Sequence, residues 1–388
     1  MKNKTWLLIF SVVVLVCVVV ISSLTVYVDP YMHYHKPLIN KFYYELDNQR
    51  SQNNGIIKHF DYDAVITGTS MTETFKTSEM DEIFGCNAIK VPFSGASFKE
   101  INDNLELALK THPNIKYVIR SLDRYGFLAG KNAMRDDLGD YPTYLYDNNP
   151  FNDIEYLLNR DVLYNRIYNM AVDAKYQGKV GITSFDEYSN WMKHYKFGKD
   201  AVLRALFEDR EYKFYDAEQT ATLSDEERET IRETVVQNIT ALADLNPNTQ
   251  FYYFLPPYSA AYWGSLRQRG EFKKQIEIEE YALSLIVSHK NIHLFGWNCF
   301  DITDNLNNYK DFTHYGEWVN SWMLYQMHQD IGRLDESNYQ TYLKELYNHY
   351  INFDYNSLIT QTDNEDDFES ARELEKEISN NHRNEWGR

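Results

Sequence analysis

The chain has 388 residues, and its 57 acidic against 39 basic side chains give a formal net charge of -18. That length supports one large domain with insertions and an ample core, while the acidic balance argues against a nucleic-acid partner, whose binding relies on clustered Lys and Arg. Three cysteines are too few for a disulfide framework. No C-x-x-C, H-E-x-x-H, G-x-x-x-x-G-K-[ST] or G-x-G-x-x-G pattern supports a zinc peptidase, a nucleotide hydrolase or a dinucleotide enzyme. No cofactor or metal is therefore expected, and the closest histidine pair, His33 and His35, is not taken as a metal site.

Thr5 to Val28 carries no charged residue, and at ~1.5 Å per residue it is long enough to cross a ~30 Å hydrocarbon layer. A retained transmembrane anchor is expected over residues 5–28 rather than a cleaved signal, because the run exceeds the usual h-region of about 7 to 15 residues and no small-x-small site follows it. Lys2 and Lys4 precede the run and Asp29 follows it, so the positive-inside bias places residues 1–4 in the cytoplasm and the remainder outside. Residues 29–54, polar and aromatic without an apolar period, read as a juxtamembrane spacer.

A folded domain is expected over residues 55–335. Asp63-Ala-Val-Ile-Thr-Gly68 is a short β-branched run ending in glycine, as buried parallel strands are, and Cys86-Asn-Ala-Ile-Lys-Val-Pro92 is a second, weaker one. Phe98, Ile101, Leu105, Ala108 and Leu109 recur at helical spacing before the strand-like Ile115-Lys-Tyr-Val-Ile119. The block from about 125 to 223 reads as a helical insertion, with Ile154, Leu157, Leu158 and Val162 in register. Within it Tyr141, Tyr144 and Tyr146 are candidates to line a glycan groove, packing of the insertion being the plainer role. Ser224 and Glu227 form a capping box ahead of the stripe Ile231, Val235, Ile239 and Leu242, which Asn246-Pro247 ends. Phe251-Tyr-Tyr-Phe-Leu255 and Asn291-Ile-His-Leu-Phe295, separated by a helix around 272–288, complete about five strands. Strands alternating with helices predict an α/β fold, a doubly wound, flavodoxin-like parallel sheet flanked by helices. Residues 336–388 read as a helical or disordered acidic tail, most acidic at Thr362-Asp-Asn-Glu-Asp-Asp367.

In an open parallel sheet, reactive groups gather beyond the carboxyl ends of the strands. The first strand delivers Gly68-Thr69-Ser70 there, with Gly95-Ala96-Ser97 repeating the pattern after the second. The other half of a site is Asp311-Phe-Thr-His314, whose spacing of about one turn sends both side chains toward one pocket. A serine hydroxyl needs a neighbouring base to become a nucleophile, and the base needs an orienting carboxylate. Ser70, His314 and Asp311 supply those three types. Cys86 and Cys299 remain for thiol chemistry or pairing, since Cys17 lies in the apolar run.

These residues resemble the SGNH, or GDSL-like, esterase family, whose nucleophile follows the first strand and whose Asp-x-x-His comes near the domain's end. The resemblance covers roughly residues 58–330 and implies Ser70 as nucleophile, His314 as base and Asp311 as orienting acid. It further implies that the N–H groups of Ser70 and of Gly95, in Phe93-Ser-Gly-Ala-Ser97, bind the oxyanion. The family's asparagine donor after the third strand is missing from Arg120-Ser-Leu-Asp-Arg-Tyr-Gly126, and Ser121 and Arg124 are the candidates to replace it. Losing such a donor lowers rates by ~10²-fold or more. One anchor followed by an outward domain with a large insertion resembles the subgroup that includes the teichoic-acid D-alanylation factor and the alginate and peptidoglycan O-acetylation proteins. That resemblance implies a cell-envelope glycan or teichoic acid as substrate and a membrane-bound O-acyltransferase as working partner.

Overall fold

The structure is a computed structural model that describes residues 2–361 apart from 136, 138–140, 148 and 209. The chain divides into two compact units, one of residues 1–61 with 136–184, the other of residues 62–135 with 185–388. The acidic run at 362–367 lies outside the described residues.

In the first unit, helix α1 (Lys2–Val28) is apolar around its whole circumference and is long and apolar enough to cross a membrane. It stops at Asp29, which takes a φ of 46°. The Asp29 carboxylate, fully buried, accepts the backbone N–H groups of His33, Tyr34 and His35 at 2.9, 2.7 and 3.0 Å and the Tyr156 hydroxyl at 2.9 Å. Residues 29–54 are thus folded and do not form a spacer. Helix α2 (Gln49–His59) is capped by Asn48, and the Gln52 amide ties the Asp47 and Asn48 N–H groups to the Glu45 carbonyl. The chain at Tyr31 and Met32 runs so close to Gly55 that a Cβ there would fall 2.2 Å from the Tyr31 oxygen. Side-chain amides and carboxylates do here what an apolar stripe does elsewhere, so no hydrophobic period marks the segment. Tyr43–Tyr44 pairs in parallel with Gly181–Ile182. The expected insertion is accordingly divided, residues 136–184 folding with residues 1–61 and the parts on either side of them with the other unit.

The second unit is built on a six-stranded sheet. Its strands are β1 (Ala64–Gly68), β2 (Ala88–Pro92), β3 (Tyr117–Ser121), β4 (Gln250–Phe254), β5 (Ile292–Phe295) and β6 (Arg333–Leu334), in the order β2-β1-β3-β4-β5-β6. All neighbours are parallel except β5 and β6. The first five match the apolar runs of the sequence. The sixth, only two residues long, carries no sequence pattern.

Helix α3 (Thr77–Phe84) ends at Gly85 in the left-handed conformation, φ 62°. Helix α4 (Phe98–Thr111) buries Ile101, Leu105, Ala108 and Leu109 behind a Ser97–Glu100 capping box. Helix α5 (Asp225–Val235), capped by Ser224 and Glu227, passes into a wider π turn at Val236–Thr240. Such a turn loosens the i to i−4 ladder, and the Asn238 carbonyl accepts Nη1 of the buried Arg120 at 2.7 Å. Helices α6 (Ala260–Gln268), α7 (Phe272–Ile286) and α8 (Glu317–His328) complete the layers.

The start of the expected helical or disordered tail is helix α9 (Tyr339–Ile351), and it is packed against the protein. Tyr342, Leu343, Leu346 and Tyr350 are buried, and Leu346 and Tyr350 join the hydrophobic core, as do Tyr355 and Leu358 beyond the helix. Their spacing is helical, but two of the four inward positions are tyrosines, which dilutes the apolar signal. Many tyrosines share this role of core packing with a satisfied hydroxyl. Tyr309 donates to the Pro257 carbonyl at 2.7 Å and Tyr350 to Asp304 at 3.1 Å. Tyr141, Tyr144 and Tyr146 belong to the first unit, where Tyr146 donates to the Arg50 carbonyl at 2.5 Å.

Candidate active site

Strand β1 ends at Gly68, whose φ of 146° suits glycine and whose missing side chain admits Ser121. A Cβ at that position would lie 2.5 Å from the Ser121 hydroxyl. The chain then enters a single 3₁₀ turn, Ser70–Thr72, capped by Thr69. Behind the turn lies the fully buried Asp123. Its carboxylate accepts the hydroxyls of Thr69 at 2.9 Å, Ser121 at 2.8 Å and Tyr258 at 3.1 Å. Burial pushes the Asp123 carboxyl above its usual range, although the three hydroxyls favour its charged form. This network holds Thr69, and with it the serine that follows.

From below, Lys90 on β2 donates to the carbonyls of Glu73 at 2.6 Å, Phe75 at 2.8 Å and Asp186 at 3.4 Å. The chain just after the serine turn is therefore fixed as well. Burial lowers the Lys90 amine to about 7, against the pull of Asp186, Glu73 and Glu317.

The other half of the site is a closed loop. Tyr309 and Tyr315 form an antiparallel bridge, Lys310 N–H donates to the His314 carbonyl at 3.0 Å, and Gly316 N–H donates to the Asn308 carbonyl at 2.9 Å. Inside the loop, Asp311 Oδ1 accepts the backbone N–H groups of Thr313 at 2.9 Å and His314 at 2.8 Å. The two side chains thus share a face because the carboxylate folds back over the next N–H groups, an Asx-type turn rather than the helical turn that the spacing suggested. The loop is fastened to the sheet by Ser259, which donates to the Phe312 carbonyl at 2.8 Å.

These halves meet. Ser70 Oγ lies 2.8 Å from His314 Nε2, and His314 Nδ1 lies 2.8 Å from Asp311 Oδ2 and 3.0 Å from Oδ1. An ionised carboxylate only accepts, so Nδ1 carries the proton and Nε2 is left to accept from the serine. Burial alone would raise the Asp311 carboxyl, but the hydrogen bonds from His314 and Thr313 outweigh it and hold the group at about 2. The imidazole and carboxylate are each about one-quarter exposed, so both side chains are open to solvent.

Trp191 stands edge-on to the imidazole with ring centroids 5.8 Å apart, and the Lys310 ammonium lies 4.1 Å from the Trp191 ring and 3.8 Å from that of Tyr195. Neither Trp191 nor Lys310 was marked by any motif. Asp123 could have been found, since it follows a strand end as Ser70 does.

The oxyanion candidates divide. The N–H groups of Ser70 and Gly95 have no acceptor among the described residues, and Phe93 N–H to the Gly68 carbonyl at 2.8 Å ties the two turns together. Gly95 has φ 60°, and Arg135, which donates to the Ser94 carbonyl at 2.7 Å, occupies the space beside it. Ser121 and Arg124 do not offer the missing donor. The Ser121 hydroxyl points at Asp123, and the buried Arg124 guanidinium is held by Glu279 at 2.8 Å and the Pro256 carbonyl, stacked on Tyr258 and Trp263.

Among the described residues no three His, Cys, Asp or Glu side chains converge as metal ligands. Both ring nitrogens of His35 face backbone carbonyls, and His33 Nε2 faces Asp153 at 3.4 Å. All three cysteines are free, and burial pushes the Cys86 and Cys299 thiols up to about 12, far from the reactive thiolate range. No protein-family model, curated protein or solved structure matches the chain.

Proposed function

We propose that this chain is a membrane-anchored serine esterase or O-acyltransferase of the SGNH type, acting outside the cytoplasm on acyl groups of a cell-envelope polysaccharide or teichoic acid. The observation that carries it is the 2.8 Å approach of Ser70 Oγ to His314 Nε2 across 244 positions of sequence, with Asp311 behind the imidazole. The strand order β2-β1-β3-β4-β5 supports a doubly wound, flavodoxin-like arrangement, in which such groups gather at the carboxyl edge. Helix α1 supplies the anchor, with Lys2 and Lys4 on the cytoplasmic side.

In this mechanism Ser70 Oγ attacks the acyl carbonyl carbon while His314 Nε2 takes the hydroxyl proton. The Ser70 and Gly95 N–H groups face the developing oxyanion. Collapse of the tetrahedral intermediate breaks the bond to the leaving alcohol, which receives the proton from His314, and leaves acyl-Ser70. A glycan hydroxyl or water, deprotonated by His314, then attacks the acyl carbon, the bond to Ser70 Oγ breaks, and His314 returns the proton to the serine oxygen. Asp311 stays ionised throughout and holds the imidazole tautomer.

A second function has one observation in its favour. With Ser121 and Arg124 both committed elsewhere, neither replaces the asparagine donor of the family, as expected of a site that binds an acylated polymer and presents it to a membrane-bound O-acyltransferase. Reaction with a fluorophosphonate separates the two. The enzyme labels and the Ser70→Ala variant does not. Equal labelling of both proteins removes Ser70 as the nucleophile, and a folded wild type that never labels favours the presenting role.

A further inference from the structure

Beside the anchor, the first unit carries apolar surface with no place in water. On α1, Thr25 is buried and Val18, Ile21 and Ser22 are partly covered while Val19, Val20 and Leu24 are exposed, a spacing that defines one helical face. The short helix Ile154–Leu157 and the π turn Val162–Tyr168 pack there, and Thr25 Oγ1 donates to the Leu157 carbonyl at 2.9 Å.

Depth along the helix follows from its rise. At ~1.5 Å per residue the stretch from Thr5 to Thr25 climbs about 30 Å, the thickness of the hydrocarbon layer. With the lysines at the cytoplasmic surface, Thr25 reaches the outer edge of that layer, and Ile21 and Val18 lie roughly 6 and 10 Å beneath it. Whatever covers this face then sits among lipid headgroups and upper acyl chains.

The covering segment suits that depth. Its inward side buries Val162 and Ile167. Its outward side shows Phe151 at 89% exposure, Ile154 at 55%, Tyr164 at 66% and Tyr168 at 62%. Glu155, Arg160, Asp161 and Asn165 are exposed between them, which keeps the segment at headgroup level and out of the acyl core. At the last turn of α1, Tyr27 is half exposed and Lys41 Nζ donates to its hydroxyl at 3.0 Å, an amphipathic pair of the kind found at membrane surfaces.

We propose that residues 150–168 form an interfacial collar seated in the outer headgroup layer, so that the first unit is held by the lipid surface as well as by its span. The collar rests on the anchor described under the proposed function, and one experiment distinguishes failure of either. The full chain, with Cys17→Ala, Cys86→Ala and Cys299→Ala, is given single cysteines as Phe151→Cys, Ile154→Cys or Tyr168→Cys, spin-labelled and placed in phosphatidylcholine vesicles. Leu15→Cys reports the span, and Glu226→Cys reports solvent. Relative collision rates with oxygen and a water-soluble nickel chelate should give oxygen-to-nickel ratios at 151, 154 and 168 several-fold above position 226 and below position 15. Ratios equal to that at 226, with position 15 still protected, would overturn the collar and leave the anchor standing. Nickel access at position 15 would overturn both. Low collision rates with both reagents at 151, 154 and 168 would mean cover by protein, and would also overturn it.

Discussion

Gly68-Thr69-Ser70 and Gly95-Ala96-Ser97 are the same three-residue pattern, each following a parallel strand of the same sheet and each opening a helical turn. Their serines have opposite fates. Ser97 sits at an N-cap, where its hydroxyl accepts the Glu100 N–H at 3.3 Å and donates to the Ala133 carbonyl. Both of its hydrogen-bonding roles are filled by backbone, and it stabilises a helix. At the first turn the capping role falls to Thr69, one residue earlier, which leaves the Ser70 hydroxyl facing His314. A nucleophile needs a hydroxyl that the local backbone does not claim. The glycine two positions before each serine matters less than which residue does the capping.

The contrast can be broken most severely at Ser70. If acyl transfer runs through this hydroxyl, Ser70→Ala should lower the turnover of an ester substrate by on the order of 10⁵-fold, while the urea midpoint stays near that of the wild type. A residual rate within tenfold of wild type would refute the assignment. Next comes Asp311→Asn, which keeps the shape but offers the imidazole a donor where it needs an acceptor, and should lower the same rate by on the order of 10³- to 10⁴-fold.

The same variant tests a pH effect. The folded Asp311 carboxyl sits at about 2 against a usual 3.8. The protonated form is thus disfavoured by folding, and the group contributes about 2 kcal/mol of stability that is fully present above pH ~4 and lost as pH falls toward 2. Urea midpoints measured between pH 5 and pH 2 should fall more steeply for wild type than for Asp311→Asn. Parallel curves would show that the carboxylate is not held by its loop.

Ser97→Ala should give the smallest effect and sharpens the comparison from the other side. It removes a cap and should lower stability by about 1 kcal/mol with the ester rate unchanged. A large loss of rate in a folded Ser97→Ala protein would mean that the second Gly-x-Ser is also part of the chemistry.

Several parts of this molecule could be read in one dimension because their causes are local. The apolar run of α1, the capping box at Ser224, the stripe of α4 and the five apolar strands all depend on neighbours within about four positions or on simple alternation. The order of a serine after the first strand and an Asp-x-x-His near the end was equally visible. Other parts were hidden for equally physical reasons. Residues 29–54 fold through a buried carboxylate and a glutamine amide, whose partners include Tyr156, 127 positions away. The burial of helix α9 was concealed by tyrosines that are polar by composition and buried in fact.

By itself, then, the sequence determined the five main strands, their alternation with helices and the inventory of reactive side chains. Tertiary structure decided which of two equivalent serines meets the imidazole, that Ser121 and Arg124 are occupied by Asp123 and Glu279, and that residues 29–54 join residues 136–184 of the insertion. The division has one cause. Caps and stripes are satisfied within a few residues, whereas a hydrogen bond between positions 70 and 314 exists only where the packed sheet brings two distant loops to the same edge.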